Sequence, residues 1–216
     1  MFYLKLTAFF LLTATAIIYG FSHFTGPTGV RAIPAKPEAA AEEEKKQTAP
    51  LFIAPLDRAE ERITKKRFGD FITPDTSPVQ PDKFTGFHAG VDWEIFPSEI
   101  KTDLPVKAVC SGRLRLKKWA SGYGGMAVQQ CELNNRPITV IYGHLKLNSV
   151  AADQGEYLKA GQTVGLLGDH LSRVTDGARK HLHLAFHQGE EINIKGYLES
   201  RDQLAEWLDP CPYVCR

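Results

Sequence analysis

The sequence predicts a mainly β fold, an antiparallel β-sheet domain with minor helix. Three observations point there. Apolar and polar residues alternate with period two through residues 90–95 and 106–116, the mark of strands with one buried face. A Gly-rich segment, Ser121-Gly-Tyr-Gly-Gly125, separates two such runs, as a turn does between antiparallel neighbours. Helical periodicity is weak beyond the first 50 residues and confined to 58–66 and 200–208.

Taken in order, Gly90-Val-Asp-Trp-Glu-Ile95 alternates apolar with acidic residues. Next, Val106, Ala108, Cys110, Leu114 and Leu116 alternate with Lys107, Arg113, Arg115 and Lys117, which predicts one long strand. After the Gly-rich turn, 126–131 reads as the returning strand. The short β-branched runs 138–142 and 162–167 follow, and 181–187 completes the set. Cys110 and Cys131 lie symmetrically about that turn and are expected to form a cross-strand disulfide. Cys211 and Cys215 could close a small C-terminal loop.

Composition narrows the function. Lys+Arg number 26 against Asp+Glu 25 in 216 residues, so the basic excess of a nucleic-acid binder is absent. With 43% hydrophobic and 10% aromatic residues the chain can fill a core. Its first segment is an apolar run behind Lys5, which reads as an export signal. Residues 1–24 are expected to be a signal anchor tethered in the cytoplasmic membrane, with a cleaved signal peptide as the other reading. Residues 25–50 form a Pro, Ala and charged spacer, residues 51–210 the domain, and residues 211–216 a Cys-containing tail. The domain is expected outside the cytoplasmic membrane, in the periplasm or at the cell surface, as a monomer.

The histidines carry the chemistry. In a strand, residues two apart share a face, so His181 and His183 project together while Leu182, Leu184 and Phe186 face the core. His187 shares that face further along and reads as a bystander. A second cluster is His88-Ala-Gly-Val-Asp92, and a third is Tyr142-Gly-His144-Leu, just past a strand. Each spacing is weak alone. Together they offer three zinc ligands, His88, Asp92 and one histidine of the HxH pair, with the other histidine and His144 beside them. That is the ligand count of a catalytic zinc, whose fourth position is left to water. No His-Glu-x-x-His occurs, so no helix-borne glutamate serves as base. A packing role is expected for Tyr142.

At this point the sequence resembles the lysostaphin-type or LytM-domain zinc metalloendopeptidases, which have the duplicated-hybrid-motif β fold. The resemblance runs from about Phe68 to Gly189. It includes His88-Ala-Gly-Val-Asp92, Pro105-Val-Lys-Ala-Val-Cys-Ser-Gly112, Tyr142-Gly-His-Leu145, Ala160-Gly-Gln-Thr-Val-Gly165 and His181-Leu-His183. It implies one zinc held by His88, Asp92 and His183, with His144 and His181 assisting catalysis. Two departures stand out: Thr175-Asp-Gly-Ala-Arg-Lys180 replaces the usual Ser/Thr-Thr-Gly step before the HxH, and Leu184-Ala185 follows it. The expected activity is hydrolysis of peptide cross-links or stem peptides of bacterial peptidoglycan. The alternative is a non-enzymatic module that binds the wall or activates another wall hydrolase. Segments 150–158 and 170–180 are expected to wall the substrate groove.

Overall fold

Antiparallel pairing carries the chain from end to end in the computed structural model, which describes residues 52–216. The expected signal segment (1–24) and spacer (25–50) lie outside the described residues. Among the described residues no helix is long and apolar enough to cross a membrane. After the short helix α1 (Ala59–Arg62) come β1 (Phe71–Ile72), β2 (Gly86–His88), β3 (Val91–Glu94) and β4 (Pro105–Lys107). The long meander follows: β5 (Gly112–Ala120), β6 (Gly124–Leu133) and β7 (Arg136–Lys146). Then come β8 (Tyr157–Leu158), β9 (Thr163–Leu167), β10 (His181–Gln188), β11 (Tyr197–Leu198), β12 (Trp207–Leu208) and the helix α2 (Cys211–Val214).

The main sheet runs β12-β10-β7-β6-β5-β8, with β3 also on β10 and the β4–β9 pair joined through β7. A separate small sheet has the order β1-β2-β11. Both faces of the main sheet are covered. Val140, Tyr142, Leu182, Leu184 and Phe186 enter one apolar cluster with Trp93, while Ile141, Ala185, Met126 and Val128 enter a second with Ala89 and Trp207. Burial on both faces explains why β7 reads as a continuous apolar run rather than an alternating one.

Three expectations are corrected. The single strand expected over 106–116 is two, β4 and β5, which pair with different partners, β9 and β6. Val106, Ala108 and Cys110 are all buried across the break, as one strand face would be, so these positions alone give no sign of it, although Val109 between them is buried too. Between the two strands the backbone turns to other segments, with Lys107 N–H donating to Pro55 O at 2.9 Å and Ala108 N–H to Gln162 O at 2.8 Å. The helix expected over 58–66 shrinks to α1, because Arg62 is drawn to Asp57 O (2.6 Å) and to both carboxylate oxygens of Glu99 (2.8 Å each). The helix expected over 200–208 is a 3-10 turn, Arg201–Glu206, followed by β12, where buried Trp207 pairs with His187.

Cys110 is joined to Cys131 and Cys211 to Cys215, as expected. Cys110 is not a direct cross-strand partner, however. It precedes β5, and the β5–β6 register, Leu114 opposite Gln129, offsets it from Cys131, giving a Cα separation of 6.2 Å. The final residues, read as a tail, carry α2, whose Val214 is buried against the first cluster with Cys211, Tyr213 and Cys215 beside it.

Candidate metal centre

Strand register assembles the site. Where β3 and β10 pair, Asp92 lies directly opposite His183, and on the other side of β10 the neighbour of His183 is Gly143 of β7. Gly143 is required: a Cβ there would meet the Tyr123 ring at 2.6 Å. Strand β2 brings His88 from the small sheet, where it pairs with Tyr197. The two-residue link Ala89-Gly90 lets the chain pass from one sheet to the other. A Cβ at Gly90 would lie 2.5 Å from Leu184 O and 2.9 Å from His183 Cε1, so the HAGVD spacing is set by close backbone approach.

Three donor atoms converge as a result. His88 Nε2 lies 3.0 Å from His183 Nδ1 and 3.3 Å from Asp92 Oδ1, and His183 Nδ1 lies 3.1 Å from Asp92 Oδ1. A tetrahedral zinc with ligand bonds of about 2.0–2.1 Å has neighbouring donors about 3.3 Å apart, so this spacing fits one. The remaining ring nitrogens are directed away. His88 Nδ1–H donates to Arg67 O at 3.2 Å, and His183 Nε2 is 3.5 Å from the Tyr123 hydroxyl, which leaves Nε2 of one ring and Nδ1 of the other facing inward. All three side chains are buried. Burial lowers the His183 imidazole to about 4, against the raising effect of its hydrogen bond to Asp92, so it is neutral, as a ligand must be. Burial alone would raise the Asp92 carboxyl. Charge on His181 and His88 and hydrogen bonds from His181 and His183 outweigh it and hold Asp92 well below the usual carboxylate range.

The other two histidines stand beside this trio, their ring centroids 4.2 Å apart. His181 Nδ1–H donates to Arg179 O at 2.8 Å, and its Nε2 lies 3.3 Å from Asp92 Oδ2. His144 arrives differently. Its φ is 61°, a left-handed conformation rarely adopted by a non-glycine residue. The β6–β7 register shifts here, with Gly125 opposite Leu145 but Ala127 opposite Tyr142, so His144 sits in a bulge that re-aims its side chain. His144 Nδ1 is buried without a protein partner. Burial, then the charge of His181, lowers this imidazole well below its ordinary value.

A cleft of about 710 Å³ opens over the four side chains Asp92, His144, His181 and His183. Segment 170–179 contributes to its lining as expected, through His170, Leu171 and Asp176 to Arg179. Segment 150–158 does not, because β8 pairs with β5 and Val150 and Leu158 are buried in the core. In its place stands segment 78–84, pinned from below by the buried ion pair of Lys66 with Asp82. Lys83 Nζ links the two lining segments through Asp176 Oδ2 at 3.1 Å.

The model of Peptidase family M23 matches residues 86–194, from β2 past the end of β10. The chain belongs to peptidase family M23. Its fold is similar to solved structures at low identity. The SpoIIQ–SpoIIIAH pore-forming complex gives a TM-score of 0.50 at 15% identity over 77% of this chain and 92% of that one. Lysostaphin gives 0.49 at 20% over 74% and 53%, and LytU gives 0.47 at 21% over 70% and 83%. No curated protein matches the sequence. M23 peptidases are typically zinc-dependent, and a buried His-Asp-His trio of the right spacing fits that ion.

Against the M23 frame, all five expected residues meet in one place and His187 does not. Tyr142 packs, as expected: its hydroxyl donates to Gln129 Oε1 at 2.8 Å and accepts from Val109 N–H at 2.9 Å on the core side. The tyrosines near the trio are Tyr123 and Tyr197, whose ring lies 5.2 Å from that of His88. Sequence reasoning also passed over Arg179, which donates to Asp92 Oδ2 at 2.9 Å and bonds Glu94. The sequence signal for it is the unusual Thr175–Lys180 stretch just before the HxH, which contains this arginine.

Proposed function

We propose that this M23 peptidase is a zinc metalloendopeptidase that hydrolyses amide bonds in the stem peptides or cross-links of bacterial peptidoglycan. The observation that carries the reading is the trio of donors spaced 3.0–3.3 Å apart, with two more imidazoles alongside, at the floor of a cleft. His88 Nε2, Asp92 Oδ1 and His183 Nδ1 would hold the metal. Zinc bound there would polarise the scissile carbonyl and lower the pKa of a coordinated water to about 7.

The chain's own residues move the proton and shape the field. His181 is the base. Its Nδ1–H is fixed on Arg179 O, so Nε2 gains the proton, and the resulting cation is stabilised by Asp92 Oδ2 at 3.3 Å. His144 stays neutral, and its ring, which lines the cleft, serves as a hydrogen-bond donor to the carbonyl oxygen as that atom gains charge. The cleft between 78–84 and 170–179 has room for an extended peptide. The export signal over residues 1–24 and the spacer after it support a place outside the cytoplasmic membrane, within reach of the wall.

The test is digestion of isolated peptidoglycan by the purified protein, with and without a chelator, read by mass spectrometry. New amino termini that disappear with chelator are expected. New reducing sugar ends without amino termini, or wall binding with neither, overturn the assignment.

A further inference from the structure

We infer that Arg179 makes Asp92 a one-oxygen metal ligand, holding its second oxygen out of reach of the ion. The inference rests on the metal-centre reading above and goes beyond it, to what keeps a coordination position open. The two oxygens of Asp92 are divided. Oδ1 faces His183 Nδ1 at 3.1 Å and His88 Nε2 at 3.3 Å. Oδ2 takes a hydrogen bond from Arg179 Nη2 at 2.9 Å and lies 3.3 Å from His181 Nε2.

The arginine is itself fixed. Its Nε lies 3.0 Å from both Oε1 and Oε2 of Glu94, and its Nη2 also bonds Glu94. Asp92 and Glu94 are two apart on β3, so their carboxylates share a face and meet one guanidinium. The next residue, Lys180, is 3% exposed and directs its Nζ to the carbonyls of Glu99, at 3.1 Å, and Thr102. Successive side chains are therefore anchored to separate partners, and the backbone between them has little freedom to shift. Burial would lower the charge of Arg179, but Asp92 and Glu94 outweigh it and keep the guanidinium protonated.

The chemical consequence follows from ligand counting. A carboxylate free to rotate can offer a metal both oxygens, and Glu94 beside it could offer another. Either would fill the position that a catalytic zinc keeps for water and substrate. Arg179 ties up Asp92 Oδ2 and both oxygens of Glu94 in charge-assisted hydrogen bonds of fixed direction. It is a positioning residue, acting on the metal through Asp92. The bland alternative is that Arg179 only neutralises buried carboxylates for folding.

Cobalt separates the two, because four-coordinate Co²⁺ absorbs visible light far more strongly than Co²⁺ with five or six ligands. The full-length protein, R179M and R179K would each be loaded with Co²⁺, with thermal melting as a check on fold. Wild type should show the intense four-coordinate band. R179K, which keeps the charge and one donor for Oδ2, should retain it. R179M should bind cobalt and lose the band. A folded R179M with the wild-type spectrum overturns the inference. If R179M fails to fold, X-ray absorption on the zinc-loaded wild type decides instead: a single Asp92 oxygen in the coordination shell supports the inference, and two overturn it. A wild type that takes up neither metal overturns the metal-centre reading itself.

Discussion

His183 and His187 sit four residues apart on the same face of β10, and both are buried. Their surroundings differ completely. Around His183, β3 supplies Asp92, β7 supplies Gly143, and the small sheet supplies His88. By His187, β3 has ended and β12 takes its place, so the ring meets Trp207 edge-on at 4.8 Å, with Glu206 at 4.0 Å. Identical side chains on one strand thus become a candidate metal ligand and a packing group according to which strand lies alongside. Burial and alternation are shared; cross-strand partners are not.

The largest test of that contrast is metal content. His183→Ala should drop bound zinc to near zero by elemental analysis, since two remaining donors cannot hold the ion. His187→Ala should keep one equivalent and lose about 1–3 kcal/mol of stability in urea titration, the packing loss of a buried ring. Metal-poor His187→Ala would break the comparison. Next in size, His181→Ala and His144→Ala should retain zinc while kcat falls by roughly 10²–10⁴-fold, the range for losing a proton-transfer group. If elemental analysis finds His181→Ala as metal-poor as His183→Ala, the division of the HxH pair is wrong.

Gly143→Ala probes the other neighbour of His183. Its Cβ would lie 2.6 Å from the Tyr123 ring. The expected cost is about 1–3 kcal/mol, read as a lowered melting temperature, with weaker zinc binding because Tyr123 backs the His183 ring. A smaller effect of opposite sign is expected at His144. His144→Gly should be about 1 kcal/mol more stable than His144→Ala, because only glycine is unstrained at φ 61°.

The smallest expected effect is a pH slope. Burial lowers the His187 imidazole, and Glu206 and Glu191 oppose that only in part. As pH falls below the ordinary histidine value of about 6.5, the unfolded chain takes up this proton before the folded one, so stability declines. The urea midpoint of the zinc-loaded protein should fall from pH 7.5 to 5.5, and His187→Phe should flatten that slope. An unchanged slope would mean another group carries it.

What was legible in the sequence is what depends on spacing along one strand. Period-two alternation gave the sheet, and it put His181 and His183 on one face with Leu182 and Leu184 on the other. The pairing of Cys110 with Cys131 was legible because the Gly-rich turn fixes where the strands fold back. Its offset was not, since a register shift between Leu114 and Leu116 leaves no mark in composition. The role of Arg179 was hidden because it depends on β3 and β10 aligning Glu94 opposite His181. His144 was legible from its short cluster just past a strand, while its reorientation by a bulge is a backbone event that residue type does not announce. The lining by 78–84 escaped because that loop is held by one long-range pair, Lys66 with Asp82, rather than by a pattern.

The link between Lys83 and Asp176 bears on how a polymer gets in. It joins the two lining segments with side chains 61% and 23% exposed, and exposed pairs of this kind contribute about 0.2–1 kcal/mol. A tie that weak opens at thermal cost. Segments 78–84 and 170–179 are therefore only loosely tied to one another along the cleft they line, and an extended chain laid between them meets no strong cross-link among the described residues.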